Sequence, residues 1–251
     1  MKQASGYDAV GNPDASSRVM PDAGAITCPV CEFDERGFWI EPEALTFDEC
    51  DALAARVETL DAAGAGTRRM LELTWVEALA RDIRRVRALI KIVPADHVAV
   101  QCTLFTKSGE TNWAVAPHQD LSIPVASRVN HDGCSGWSEK EGVLFTQPPA
   151  DVLAQLVAVR VHIDECGQDA GALRVQPGSH RRGTLTSDQL RALHAGTWSI
   201  ACAVPRGGAM ALRPLLVHAS SKTSVSSPRR VLHFLFGPRV LPFGLQWARA
   251  V

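Results

Sequence analysis

The chemistry-bearing residues of this chain are His118-Gln119-Asp120 and, far downstream, His218. In an extended segment residues two apart share a face, so His118 and Asp120 point one way and Gln119 the other. An imidazole arriving from a distant strand at His218 would complete two nitrogens and one carboxylate on one face of a metal. That set suits a non-haem Fe(II) centre, because three protein ligands leave three positions open for a chelating cosubstrate and O2. An H-x-D spacing alone is common and carries little. What strengthens it is the stretch after His218: Ser220, then Pro228-Arg229-Arg230 leading into the apolar run Val231-Leu232-His233-Phe234-Leu235-Phe236.

The elements that must hold these residues follow from periodicity. Residues 1–35 are rich in Gly, Pro, Ser, Asp and Ala without periodicity and read as a loose N-terminal arm, leaving 36–251 as the functional domain. Gly37-Phe38-Trp39-Ile40 is a short strand-like run. Thr46-x-x-Glu49 and Thr74-x-x-Glu77 are capping-box patterns. The first opens a helix with Cys50, Leu53, Val57 and Leu60 on one stripe; the second opens one running through Val76, Leu79, Ile83, Val86 and Ile90 to Pro94. Arg81, Arg84, Arg85 and Arg87 on the latter read as a solvated face. From Val98 the period becomes 2, with Val98, Val100, Cys102 and Leu104 facing the core. Residues 121–150 read as a long irregular, lid-like loop. Strands are predicted at Leu156–Ile163, Gly171–Val175 and near 197–204, 209–217 and 230–236, with Thr186-x-x-Gln189 capping a short helix. Helices followed by about eight strands argue α+β: a jelly-roll barrel with N-terminal helices packed outside.

Composition bounds the function. The 251 residues suffice for one domain with a helical layer, and 46% hydrophobic content is ample for a core. A net charge of −1 gives nucleic acid or anionic membrane nothing to attract it. No apolar run approaches the roughly 20 residues of a spanning helix, and Met1–Gly6 lacks an apolar signal region, so a cytoplasmic protein is expected. Seven irregularly spaced cysteines fit reduced thiols. Cys28-Pro29-Val30-Cys31 lacks the second ligand pair that zinc needs and the preceding strand that a redox motif needs.

Taken together, the motifs resemble the phytanoyl-CoA dioxygenase family of Fe(II)/2-oxoglutarate oxygenases. The resemblance runs from about Gly37 to Phe236. It rests on Gly37-Phe38-Trp39-Ile40, Thr46–Cys50, Leu104-Phe105-Thr106-Lys107, His118-Gln119-Asp120-Leu121, Gly171–Val175 with Pro177-Gly178-Ser179-His180, and His218 followed eleven residues later by Arg229. It implies a double-stranded β-helix, a cupin-like barrel. It also implies iron held by His118, Asp120 and His218, and 2-oxoglutarate gripped at its far carboxylate by Arg229 with Ser220. Thr103 and Arg160 fall where the family has further cosubstrate contacts. The implied reaction is oxidative decarboxylation of 2-oxoglutarate to succinate and CO2, coupled through O2 to hydroxylation of an unactivated C–H in a small-molecule substrate. Desaturation, cyclisation or epimerisation by the same chemistry is an alternative; from a different class, so is a non-catalytic metal- or ligand-binding module. Halogenating relatives lack the carboxylate that Asp120 retains, which argues for oxygenation.

The physical case for Arg229 stands beside the resemblance: a guanidinium donates two parallel hydrogen bonds to a carboxylate and stays charged when buried. Arg230 should face the opposite side of the strand, and a slip of one residue would exchange the two. Ordinary readings apply to other polar residues. His180 is expected to pack a loop, His162 to be a hydrogen-bonded core histidine, Trp113 to be core or pocket wall, and Glu139-Lys140-Glu141 to be exposed loop charge.

Overall fold

Local chemistry sets the helical layer. The computed structural model describes residues 28–60, 66–108, 111–195, 199–225 and 228–251. Order begins earlier than expected, with α1 (Pro29–Arg36) inside the stretch read as an arm; Cys28 is its N-cap and Gly37, at φ +83°, ends it. The remainder of that arm lies outside the described residues. At α2 (Phe47–Glu58) the Thr46–Glu49 capping box forms in both directions and buries Cys50, Leu53 and Val57. The second predicted box does not form. Thr74 lies inside α3 (Thr74–Ile83), whose N-cap is Leu73, and Glu77 instead pairs with Arg249. The long helix predicted through Ile90 breaks after Ile83, and α4 (Leu89–Ile92) follows as a separate turn. Arg84 is not a solvated charge: its guanidinium donates to the carbonyls of Pro94, Ala95 and His97, in the turn that leads from α4 into the first long strand.

Among the described residues, twelve strands follow the pattern of antiparallel sheets. The larger sheet has the order β1 (Phe38–Glu41), β10 (Ala209–Leu212), β7 (Val157–His162), β12 (Arg229–Pro238), β2 (His97–Lys107). The second contains β3 (Val115–His118), β11 (His218–Ser220), β8 (Leu173–Val175) and β9 (Ile200–Cys202). The stretch read as an irregular loop instead carries a third sheet of β4 (Ile123–Val125), β6 (Val143–Gln147) and β5 (Ser135–Lys140), followed by α5 (Ala150–Gln155). Its strands are short and mixed in polarity, with β4 wholly buried and β5 mostly exposed, so no period-2 signal stands out. The strand predicted over 209–217 stops at Leu212, and His218 opens the separate strand β11, while α6 (Ser187–Ala195) starts at the predicted Thr186–Gln189 box.

Two cores flank the larger sheet. Its outer face packs on α2–α4 through Val159, Val161, Ala211, Leu232, Phe234 and Phe236. Its inner face packs toward the second sheet through Ala158, Met210, Leu212 and Leu235, meeting Val175 and Cys202. This sheet sandwich is the jelly-roll arrangement.

β2 departs from simple alternation. Leu235 of β12 pairs with Gln101 while the next residue, Phe236, pairs with Ala99, so Val100 is an extra residue in β2. That bulge exchanges the faces of the strand. Val98 and Val100 point inward, Cys102 and Leu104 turn out onto the helices, and Gln101, Thr103, Phe105 and Lys107 turn in toward the cavity. The single core face predicted for Val98, Val100, Cys102 and Leu104 is corrected accordingly.

The two arginines at the start of β12 separate as strand geometry requires. Arg229 is buried on the inner face. Arg230 points outward, where Asp164 accepts from its Nε and Nη2 at 2.9 and 2.8 Å and Glu58 accepts from Nη1 at 2.8 Å. Substituting Arg230→Ala strands the Asp164 carboxylate, and a loss of about 1–3 kcal/mol in urea unfolding is expected, with the inner face unchanged.

Candidate metal centre and cavity

The candidate metal ligands are set by backbone pairing. His118, the last residue of β3, pairs directly with His218, the first of β11, placing their rings side by side at 4.2 Å between centroids. Each ring is held at Nδ1 by a carbonyl two residues upstream: Ala116 O at 2.9 Å for His118 and Leu216 O at 2.8 Å for His218. A carbonyl only accepts, so Nδ1 carries the proton on both rings and each Nε2 presents a lone pair. The two Nε2 atoms lie 3.7 Å from Asp120 Oδ1 and Oδ2 respectively. One donor atom from each of the three residues falls within 4.8 Å of the others.

Asp120 lies just past the strand end, and the loop that carries it is pinned. Its N–H donates to Pro214 O at 2.9 Å. Gln119, facing away as predicted, is buried and uses its whole carboxamide: Nε2 donates to Gly183 O and Leu215 O, and Oε1 accepts from the N–H of Leu185. Ser179 of the Pro177–His180 motif accepts from the N–H of Val217, next to His218. His180 packs against the Asp34 carbonyl, as expected of a loop residue.

The three ligands open into a cavity of about 420 Å³ lined from both main sheets. Of the other residues named from sequence, Thr103, Arg160, Ser220 and Arg229 all line it, as does Trp113. Sequence reasoning missed two more. Lys107, within the motif Leu104–Lys107, is 1% exposed and donates from Nζ to Ser220 Oγ at 3.2 Å and Ser221 O at 2.8 Å. Its position directly across from Arg229 in the β2–β12 register is the signal that no linear reading contains. His233 is the other; it was noted only as part of an apolar run, although its parity with Arg229 places it on the inner face.

Cations dominate the buried walls. Burial, and then Arg229, lower the Lys107 ammonium to about 8. Burial and Arg229 likewise lower Arg160 to about 10. Arg160 lies over the Phe105 ring at 5.4 Å, and neither its Nε nor that of Arg229 has a partner. Burial would raise the Asp120 carboxyl, but His218, His233, His118 and Arg160 outweigh it and hold it below its usual value. The centre thus contains one carboxylate among several cationic groups, and unspent donors face a space where an anion would satisfy them.

At the cavity rim, Lys140 and Arg68 line the opening. Glu141, at φ +53° in the β5–β6 turn, accepts from Thr67 Oγ1, Arg68 N and Arg68 Nη1 at 2.7, 2.9 and 2.9 Å. Of the Glu139–Glu141 stretch, Glu141 is therefore tied across the chain, while Glu139 is exposed as expected. His162 also departs from expectation: it is buried and neither ring nitrogen has a partner.

An antiparallel jelly-roll sandwich with two imidazoles and a carboxylate at one mouth defines a class, the metal-dependent oxygenases. The family model for phytanoyl-CoA dioxygenase matches residues 33–231. The chain belongs to that family, and its cofactor and cosubstrate are iron and 2-oxoglutarate. Among solved structures, EctD from S. alaskensis is similar at 17% identity and TM-score 0.63, covering 93% of this chain and 86% of that one. The epimerase SnoN from nogalamycin biosynthesis aligns at 16% identity and TM-score 0.62, covering 86% and 85%. HygX from Streptomyces hygroscopicus, with nickel and 2-oxoglutarate bound, aligns at 18% identity and TM-score 0.61, covering 87% and 90%. No curated protein matches. Among the described residues no helix is long and apolar enough to cross a membrane.

The burial of neutral histidines sets a pH dependence. Burial first, and then Arg160 and Arg229, lower the His162 imidazole well below its ordinary value; burial also lowers His218 and His233. The unfolded chain then binds more protons below about pH 6.5, so stability is full above that pH and is lost as pH falls toward the depressed native values. In the metal-free protein, His162→Leu should shallow this acid limb and leave neutral-pH stability equal or higher, measured by urea midpoints from pH 4 to 8.

Proposed function

We propose that the protein hydroxylates an unactivated C–H bond of a small-molecule metabolite, consuming 2-oxoglutarate and O2 and releasing succinate and CO2. The observation that carries this reading is that the His118–Asp120–His218 triad and the buried Arg229 open into one cavity. A module that only bound metal would have no use for a buried guanidinium with an unpartnered Nε.

His118 and His218 would hold iron through Nε2, and Asp120 through its carboxylate. The donor set fits Fe(II): two neutral imidazoles with fixed tautomers and one ionised carboxylate. When bound, iron with 2-oxoglutarate supplies the oxidation. The chain supplies the rest. Arg229 would take the far carboxylate of 2-oxoglutarate in its planar fork, with Ser220 and Lys107 completing an anion-binding end. Arg160, stretched over Phe105, would face the near carboxylate, with Thr103 beside it. Phe105, Phe145 and Leu235 keep the walls apolar and the reacting space poor in water. The β4–β6 sheet would act as the lid, with Glu141 fastening its tip to Thr67 and Arg68.

A cavity of about 420 Å³ suits 2-oxoglutarate together with a compact substrate such as an amino-acid derivative or natural-product intermediate. A similar HygX structure contains hygromycin B beside nickel and 2-oxoglutarate. Epimerisation and ring closure are a second reading, favoured by the likeness to SnoN and to SnoK, a carbocyclase. The reading includes a cytoplasmic location, in keeping with seven cysteines that form no disulfide.

Anaerobic addition of Fe(II) and then 2-oxoglutarate should give the visible metal-to-ligand charge-transfer band. Arg229→Ala should raise the 2-oxoglutarate needed for half the band by about tenfold or more, as for a lost charge-assisted pair. No band in folded, metal-loaded protein would leave a metal-binding module. Because Lys107 titrates at about 8 in the free protein, 2-oxoglutarate affinity should hold below pH 8 and decline above it. Lys107→Met should weaken binding and flatten that decline. Product mass separates hydroxylation, a gain of one oxygen, from desaturation or ring closure, a loss of two hydrogens, and from epimerisation, no change.

A further inference from the structure

Three imidazoles surround the Asp120 carboxylate, and they are not equivalent. His118 and His218 spend their ring protons on the Ala116 and Leu216 carbonyls and turn bare Nε2 atoms toward Asp120. The third, His233, sits on the inner face of β12, its ring edge-on to Phe105 at 5.8 Å and 72°. Its Nδ1 lies 3.2 Å from Arg160 Nη1. A guanidinium can only donate, so this Nδ1 is the acceptor, and a neutral ring must then carry its proton on Nε2. That Nε2 lies 4.0 Å from Asp120 Oδ2.

We propose that His233 is a positioning residue for the metal centre: a neutral imidazole, fixed in its Nε2–H tautomer by Arg160, that supplies the N–H for the oxygen of Asp120 that does not bind metal. This rests on the reading of the triad as the iron site. Of the three rings around the carboxylate, His233 alone presents it with a proton. At 4.0 Å the pair is outside hydrogen-bond range; the terminal torsion of an aspartate is broad, and rotation of the carboxylate about it is the motion that would bring the two into contact. A ligating carboxylate whose free oxygen is hydrogen-bonded is held in a single orientation, and loss of such a partner costs about 10–100-fold in metal affinity. Arg160 thereby serves twice, toward the cosubstrate through free donors and toward the metal through His233.

The test is metal binding without turnover. Co(II) affinity would be measured by calorimetry on wild type, Asp120→Ala, His233→Phe and His233→Gln, together with the Co(II) absorption spectrum. Phenylalanine keeps the ring and its packing on Phe105 but has no N–H. Glutamine can accept from Arg160 through Oε1 and offer Nε2–H to Asp120. We expect His233→Phe to weaken Co(II) about 10–100-fold and to alter its ligand-field bands, and His233→Gln to recover most of both. Metal-free melting temperatures report folding; if the Phe variant does not fold, His233→Leu replaces it. Equal Co(II) affinity in wild type and His233→Phe, with Asp120→Ala defective, overturns this role and leaves the triad standing. Equal weakening in the Phe and Gln variants also overturns it, since the donor would then not be what matters. No triad-dependent Co(II) binding in wild type removes the metal-site reading itself.

Discussion

The structure depends on the pleat of β12, which allows only one of two adjacent arginines to enter the cavity. β12 lies between β7 and β2 in the larger sheet, paired on both edges, so its residues cannot slip without exchanging every contact on both faces. The outer row, Arg230, Leu232, Phe234 and Phe236, meets the helices and Asp164. The inner row, Arg229, His233 and Leu235, lines the cavity. A register error would expose three large apolar side chains and bury Arg230 away from its two carboxylates. The apolar outer row thus fixes the position of the inner polar one.

Against that wall the smaller sheet brings the candidate metal ligands. Its strands are only three or four residues long, too short to hold a site rigidly by themselves. Rigidity comes instead from buried polar side chains that tie loop backbone: Gln119 to Gly183, Leu185 and Leu215, Ser179 to Val217. These bonds lie in the interior, where an unmade partner is costly, so the Asp120 loop and the start of β11 have few alternatives. The two histidines then need only their own upstream carbonyls to fix tautomer and aim.

The electrostatics of the cavity follow from what it is built to accept. Lys107, Arg160 and Arg229 approach one another on adjacent strands of one wall, lowering two of the three, with Asp120 the one carboxylate among the described lining residues. Such an arrangement is unfavourable without a partner, and a dicarboxylate supplies one negative charge for each end of the cationic wall. Burial first, and then the neighbouring Arg160 and Arg229, keep the unpartnered His162 neutral.

The sequence by itself determined the chemistry and the fold class. H-x-D, a distant histidine and an arginine eleven residues beyond it are types and spacings readable in line, and the change of period from helical to strand-like marks the order of layers. The Thr46–Glu49 and Thr186–Gln189 caps were legible because every interaction in them spans three residues. Only the tertiary structure decided the rest, because the deciding contacts join residues far apart in the chain. The bulge at Val100 is visible only against β12, and it alone turns Thr103 and Lys107 inward. Thr74 offered a cap that the backbone did not use, since Leu73 already ended the preceding turn and Glu77 found Arg249 instead. The third sheet was hidden because its strands are short and rich in polar residues, and β4, buried throughout, shows no alternation. His233 reads as one polar residue in an apolar run until Arg160 fixes its proton and Asp120 stands opposite. Which nitrogen carries that proton is a property of the neighbours, and no linear sequence states it.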